Sequence, residues 1–480
     1  MREVDCHLRS LLPRASKEMD DGGSARDGGS ARGELMAIVA TGAAFFMIVL
    51  DTSIVNLALP RIKAAFLADL PTLQWLVDGY ALVFASLLLT AGALGDRYDA
   101  KRIFVAGLVV FSAASAACGL AQGIWSLQCA RVLQGIGAAM LLPNSLAALN
   151  HTVPSGRRRT AAVSAWASAG ALGIALGPVL GGTLVQIFDW RSIFLVNVPL
   201  GLLGAWLAPR YISSGPRNKE RALDPAGQIL AVATLASATY WLISAGRMHD
   251  SSLFLVLLGA EVLFVGSLFI VVEARQAEPM LPLDLLLRPG LGWVGLVGLL
   301  HNVGIYGLIF VLSLSFQQLR GMTPLGAGLL FVPMTLALAV GTRVGAKLLQ
   351  RFGPFGPLVW GHGIAGLGAV ALTLLGLAQN PITLLLPLCV IGGGAGITTP
   401  AMSLAVLDAA ERERSGLASG ILNSARQTGG VIGVALLGSL LGEPASFHGA
   451  RMAALAAMLA FSCACALAVG IARRHQGNTM

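Results

Sequence analysis

The chain has 480 residues, 55% hydrophobic and only 12% charged, with mean hydropathy +0.75. Soluble domains average about 25% charged residues, so this composition excludes an ordinary soluble fold and indicates an all-α polytopic membrane protein. The formal net charge of +9 needs no nucleic-acid partner, because Lys and Arg that hold cytoplasmic loops account for it.

Residues 1–33 are polar and repeat Gly-Gly-Ser-Ala-Arg at 22–26 and 28–32. They read as a disordered cytoplasmic tail, with no cleavable signal peptide. Apolar runs of about 20 residues, enough to cross roughly 30 Å of hydrocarbon, then begin near residues 35, 73, 103, 125, 160, 192, 225, 252, 292, 324, 355, 382, 415 and 451. Fourteen spans put both termini on one side. Alternating assignment gives 25 Lys and Arg to the face that carries the termini and 6 to the other. The positive-inside rule makes the first face cytoplasmic.

The spans fall into two halves. Residues 34–212 are expected to form an N-terminal six-helix bundle and 292–475 a C-terminal one. Residues 213–291 form a linker with two extra transmembrane helices. Duplicated halves fit a transporter built from repeats around a site near the bilayer midplane.

Charges inside spans are costly and are functional candidates. Asp51 lies in span 1, Asp78 in span 2 and Arg131 in span 4. At 1.5 Å per residue they sit about 24, 8 and 9 Å from their entry points. That depth places all three in one outer layer, where two acids and one guanidinium could hold a proton or an organic cation. An ion pair that only pins helices is the plainer reading. Weaker candidates are Glu261 in the middle of span 8, facing a cavity or the interior, and His301 in span 9. Arg426 is expected near the cytoplasmic end of span 13.

Two glycine-marked stretches stand out. Gly92-Ala-Leu-Gly-Asp-Arg-Tyr-Asp-Ala-Lys-Arg102 is a charged turn between two spans. Its gating candidates are Gly92, Gly95, Asp96, Arg97 and Arg102. A faint counterpart, Gly341-Thr-Arg-Val-Gly-Ala-Lys347, occurs in the second half. In span 5, Gly173, Gly177 and Gly181 repeat at four beside Pro178 and Gly182, giving one helix face without side chains. Pro178 removes a backbone donor and favours a kink.

These stretches resemble the major facilitator superfamily. The 92–102 turn, Arg131-Val-Leu-Gln-Gly-Ile-Gly137 and the span 5 Gly-Pro-Gly-Gly run look like its motifs A, B and C. Leu50-Asp-Thr-Ser-Ile-Val-Asn-Leu-Ala-Leu-Pro60 looks like the span 1 signature of the fourteen-span drug–proton antiporters. Gln74-Trp75, Asp78, Tyr80, Trp190-Arg191, Asn197-Val-Pro199 and Pro324-Leu-Gly-Ala-Gly328 add to the likeness. The resemblance implies two rocking six-helix bundles plus two extra central spans, and export driven by the proton gradient. It maps a proton-linked carboxylate onto Asp51, a residue that tunes proton exchange onto Arg131, and a cytoplasmic latch onto Asp96. The family pattern has Gly then Arg where this chain has Asp99 and Ala100, so a weaker or differently wired latch is expected.

The function expected is proton-coupled efflux of small lipophilic or cationic compounds such as drugs or antibiotics. A proton-coupled metabolite importer of the same fold is the alternative. An enzyme or ATP-driven pump does not fit, because the chain has no G-x-x-x-x-G-K-[ST] phosphate loop. The expected partners are protons, a small-molecule substrate and the lipid bilayer, with a monomeric chain and with neither cofactor nor metal. The expected location is the plasma membrane.

Overall fold

The computed structural model describes residues 26–218, 223–246, 251–287, 290–375, 380–410, 414–442 and 445–477. The tail expected at 1–33 lies outside the described residues up to 25, and the first helix already runs from Arg26. In chain order the long helices are α1 (Arg26–Phe66), α2 (Leu70–Tyr98), α3 (Ala100–Gly119), α4 (Ile124–Thr152), α5 (Arg157–Ile187), α6 (Asn197–Tyr211) and α7 (Pro225–Ala245). They continue as α8 (Ser252–Arg275), α9 (Leu291–Leu314), α10 (Pro324–Phe352), α11 (Phe355–Leu375), α12 (Leu385–Ala409), α13 (Ser415–Leu441) and α14 (Phe447–Gly477).

Local chemistry sets several starts. The Asp69 side chain accepts from Thr72 N ahead of Pro71, Ser251 caps α8 through Phe254 N, and Thr323 caps α10 through Gly326 N ahead of Pro324. Each side-chain oxygen satisfies a backbone donor that has no partner within its helix. Among the described residues, 13 helical stretches are long and apolar enough to cross a membrane. The remaining long helix, α13, has 27 residues, but Asn423-Ser-Ala-Arg-Gln-Thr interrupts its apolar run. Helix α5 continues through Pro178 to Ile187.

The two halves pack alike. In the first, α1 lies against α5 and α6, α2 against α4, and α3 against α4 and α6. In the second, α9 lies against α13 and α14, α10 against α12, and α11 against α12 and α14. The halves meet through α2 with α13 and α5 with α10, a reciprocal pair. Helix α7 packs on α2 and α13, while α8 rests mainly on α7.

The bundles are joined at the end opposite the termini. There Gln74 Nε2 donates to the carbonyls of Val434 (3.1 Å) and Ala435 (2.9 Å). Ser313 Oγ donates to Asn56 O (2.7 Å), and Gln317 Nε2 to Leu57 O (3.2 Å). One apolar core, with Leu50, Leu76, Phe310, Phe331 and Phe461, runs through both halves at this level. Towards the termini the core divides. One part contains Met47, Phe84 and Phe104 of the first half, and the other Val297, Leu358 and Met402 of the second.

Candidate functional site

Asp51 and Arg131 meet inside the first bundle. Arg131 Nη1 lies 2.6 Å from Asp51 Oδ2, with the side chains 1% and 0% exposed. Asp51 Oδ1 also accepts from Gln134 Nε2 (2.8 Å) and Asn197 Nδ2 (3.0 Å). Arg131 donates from Nη1 to Gln134 Oε1 (2.7 Å) and from Nε to Leu76 O (3.3 Å). Its guanidinium stacks 4.2 Å from the Tyr80 ring centroid, which adds cation–π attraction. Gln134 Nε2 extends the network to Ser115 Oγ at 2.9 Å. A buried ion pair is costly unless hydrogen bonds satisfy its remaining atoms; here α2, α4 and α6 supply bonds to both side chains, and Arg131 Nη2 is left without a partner.

The third member of the expected layer stands apart. Asp78 is 0% exposed, yet neither carboxyl oxygen has a hydrogen-bond partner. Four residues from Gln74, it shares the helix face that meets α13. Tyr80, two residues on, faces Arg131 instead.

The other candidates also take definite places. Gly173, Gly177 and Gly181 lie against Phe46, Ser53 and Ile54, so this stripe packs on α1 within its own bundle. Gly182 crosses to α10: a Cβ there would lie 2.6 Å from Leu325 Cα. A Cβ at Gly328 would collide with Pro178 O. In the α2–α3 turn, Gly95 abuts Asn144, Gly92 faces Pro143, Arg97 stacks on Tyr98 and Arg102 is exposed. Asp96 offers its carbonyl to Asn218 N at 2.8 Å.

Asp99 adopts φ 99°, a region that non-glycine residues rarely enter. Its Oδ1 accepts from Lys101 N (3.1 Å) and from Gly215 N (3.2 Å). The residue that departs from the family pattern thus caps α3 and ties down the irregular segment after α6.

Two expectations, for Glu261 and Arg426, are corrected, and His301 lies in α9 where it was expected. Glu261 faces outward and accepts from Ser237 Oγ at 3.1 Å, because α8 packs mainly on α7. Arg426 lies well inside α13, about 16 Å from its start at 1.5 Å per residue, where its stem meets Gly298. His301 is buried, its ring 5.3 Å from that of His362 and its Nδ1 3.5 Å from Thr398 Oγ1.

Sequence reasoning gave no role to Gln134, Asn197 or Tyr80. Their signal was available: Gln134 follows Arg131 by three residues, on the same helix face. Near the joined end, a cavity of about 40 Å³ opens between α1, α5, α9 and α10 beside Ser53, Asn56 and Thr335.

Two pseudo-symmetric helical halves, joined at one end over a shared cavity and carrying a sealed ion pair in one half, define a multi-pass membrane transporter. The Major Facilitator Superfamily pattern matches residues 41–434, and the chain belongs to that family. It is 36% identical to the methylenomycin A resistance protein of Streptomyces coelicolor, over 88% of this chain and 89% of that one. It is 35% identical to the drug efflux pump JefA of Mycobacterium tuberculosis, over 85% and 80%. It is also 35% identical to the cephamycin export protein CmcT of Amycolatopsis lactamdurans, over 87% of each. Among solved structures, a POT family transporter shares the fold at TM-score 0.70 and 15% identity, covering 94% of this chain and 97% of that one.

Proposed function

We propose that this transporter exports small lipophilic or cationic compounds, drugs or antibiotics among them, across the plasma membrane in exchange for protons. The related resistance and export proteins support the direction of transport. The 25-to-6 division of Lys and Arg supports cytoplasmic termini. With that orientation the joined end faces outward, and the chain works as a monomer of two bundles, 34–212 and 292–475, with the extra helices of 213–291 beside them.

The observation that carries the coupling is the Asp51–Arg131 pair, buried beside the bundle interface and bonded to Gln134 and Asn197. A proton on Asp51 cancels the charge that holds the guanidinium. Arg131 then keeps Gln134, the Leu76 carbonyl and the Tyr80 ring, so the network loosens without leaving the cation stranded. Asp78 is the second proton carrier. It lacks the donors that a buried carboxylate charge requires, and a proton supplies the missing compensation. The turn from Gly92 to Arg102, with Asp96 and Arg97, gates the cytoplasmic side.

Everted vesicles with an imposed pH gradient test the coupling. Uptake driven by the gradient should vanish in Asp51→Asn and survive ATP depletion. Undiminished drug uptake by Asp51→Asn with the gradient collapsed would overturn proton coupling.

A further inference from the structure

The two extra helices hold an acid pair that the transport reading does not use. Helix α8 has a single buried residue among those described, Glu273 in its last turn (2% exposed). Glu is almost never fully buried unless it is paired, and its neighbour here is the start of α7. Asp224, also buried, caps α7: its Oδ1 accepts from Gly227 N (2.8 Å) and from Gln276 Nε2 (2.9 Å). Glu273 Oε2 accepts from Leu281 N (3.2 Å), in the segment that leads to α9. The other oxygen of each acid, Asp224 Oδ2 and Glu273 Oε1, is buried without a donor.

These two oxygens meet. A Cβ on Gly227 would collide with both, so they crowd one α-carbon, where only glycine leaves them room. Two carboxylates so placed, out of water, do not both stay ionised unless a cation joins them. Among the described residues no Lys, Arg or His forms an ion pair with either. The surrounding elements do not supply a counter-charge. Arg275 and Glu278 are exposed, and Asp284 pairs with Arg414. Glu261 of α8 and Asp78 of α2 lie several turns away, and Arg426 of α13 turns its stem to Gly298 of α9. Neither free oxygen has surface that a water or hydrated ion could touch, whereas a proton needs no such space.

We propose that Asp224 and Glu273 share one proton, and that this proton clasps the ends of α7 and α8 on the side of the termini to the segment entering α9. One carboxyl carries the proton and the other accepts it. The site is separate from the Asp51–Arg131 pair and does not depend on what is exported. The closed clasp holds a proton that separated acids release to water, so raising the pH on that side opens it. Gln228, next to Gly227, donates from Nε2 to Ser86 O (3.2 Å) and accepts from Thr90 Oγ1. The turn of α7 that borders the pair is therefore also fastened to α2.

The test uses the purified full chain in lipid nanodiscs. Difference infrared spectra between neutral and alkaline pH should show a protonated-carboxyl band that Glu273→Gln and Asp224→Asn each remove. In either variant the new amide donates to the remaining carboxylate in place of the proton. Bands from other protonated acids, Asp78 among them, stay in both. Hydrogen exchange at the Leu281 amide reads the clasp. The wild-type rate divided by that of Glu273→Gln should be near one at neutral pH and rise severalfold at alkaline pH, and the division removes the intrinsic pH dependence of exchange. A wild-type spectrum in which no carboxyl titrates overturns the shared proton. So does a band that survives in Asp224→Asn, which would mean that Glu273 holds its proton alone. An exchange ratio that stays flat with pH overturns the clasp.

Discussion

Arg131 and Asp51 satisfy one another, and their energetics are those of a pair. Removing one partner of a buried ion pair costs about 3–5 kcal/mol, whereas removing both leaves no uncompensated charge. Asp51→Asn and Arg131→Gln should therefore each lower the thermal midpoint more than the double variant does. Circular dichroism melts in detergent check this, and equal midpoints for all three would show that the two side chains do not compensate one another. Asp99 presents a different balance. Its positive φ is strained, while its carboxylate caps α3 and holds Gly215. Asp99→Gly relieves the backbone and loses both bonds, so the net change in stability should stay within about 1 kcal/mol. The segment 213–218 should nonetheless open more often. Trypsin should cut after Arg217 severalfold faster in Asp99→Gly, with the thermal midpoint nearly unchanged. An unaltered cleavage rate would show that Asp99 does not restrain this segment.

Helix α5 contains two kinds of glycine. Gly173 faces α1 in its own bundle, where a Cβ would lie 2.9 Å from Phe46 O. Gly182 faces α10 across the divide, and from the other side Gly328 approaches the Pro178 carbonyl. A side chain at the first place disturbs one bundle, whereas a side chain at the second separates two. Gly328→Val should keep the joined end from closing. A cysteine placed at Ser53 should then react faster with an impermeant thiol reagent added on that side. Gly173→Ala should lower stability without changing that rate. Equal labelling in both variants would deny the α5–α10 contact a sealing role. From sequence, the spacing of four announced a smooth face but not which neighbour it met. Spacing alone cannot tell the α1 face from the α10 face, because that depends on how α5 is rotated. The same ignorance of rotation put Asp78 in one layer with Asp51 and Arg131. Depth was legible from residue count, but azimuth was not, and Asp78 faces α13 rather than the ion pair. Glu261 was misjudged because a carboxylate in an apolar run suggests an interior, and only the packing shows α8 at the periphery.

At the scale of the whole molecule, the architecture was the most legible part, since apolar runs and charged loops encode membrane crossings directly. The state of the molecule was not, because the same helices serve every conformation. The division of the core supplies that information: one cluster bridges the halves at the end opposite the termini, and two separate clusters occupy the other end. This asymmetry is what a rocking motion of two rigid bundles requires, since closing one end must open the other. It also explains why the ion pair belongs to one half. The packing of Gly173 against Phe46 O has its counterpart in Gly429 against Leu299 O. By that register Asp51 corresponds to Gly304, whose missing side chain is replaced by the ring of Phe461. One bundle thus carries charge at this level and the other carries an aromatic plug. If the joined end must part for transport, holding it shut should stop turnover. Gln186 Oε1 accepts from Leu325 N at 3.4 Å there, so Gln186→Cys with Leu325→Cys brings two thiols within reach of a short bifunctional reagent. Cross-linking should abolish drug exchange, and a cleavable linker should restore it on reduction. Binding of substrate from the side of the termini should persist throughout, because the cross-link restrains only the opposite end. Transport that continues through the cross-link would show that this end does not part, and the two bundles would then have to exchange substrate by another route.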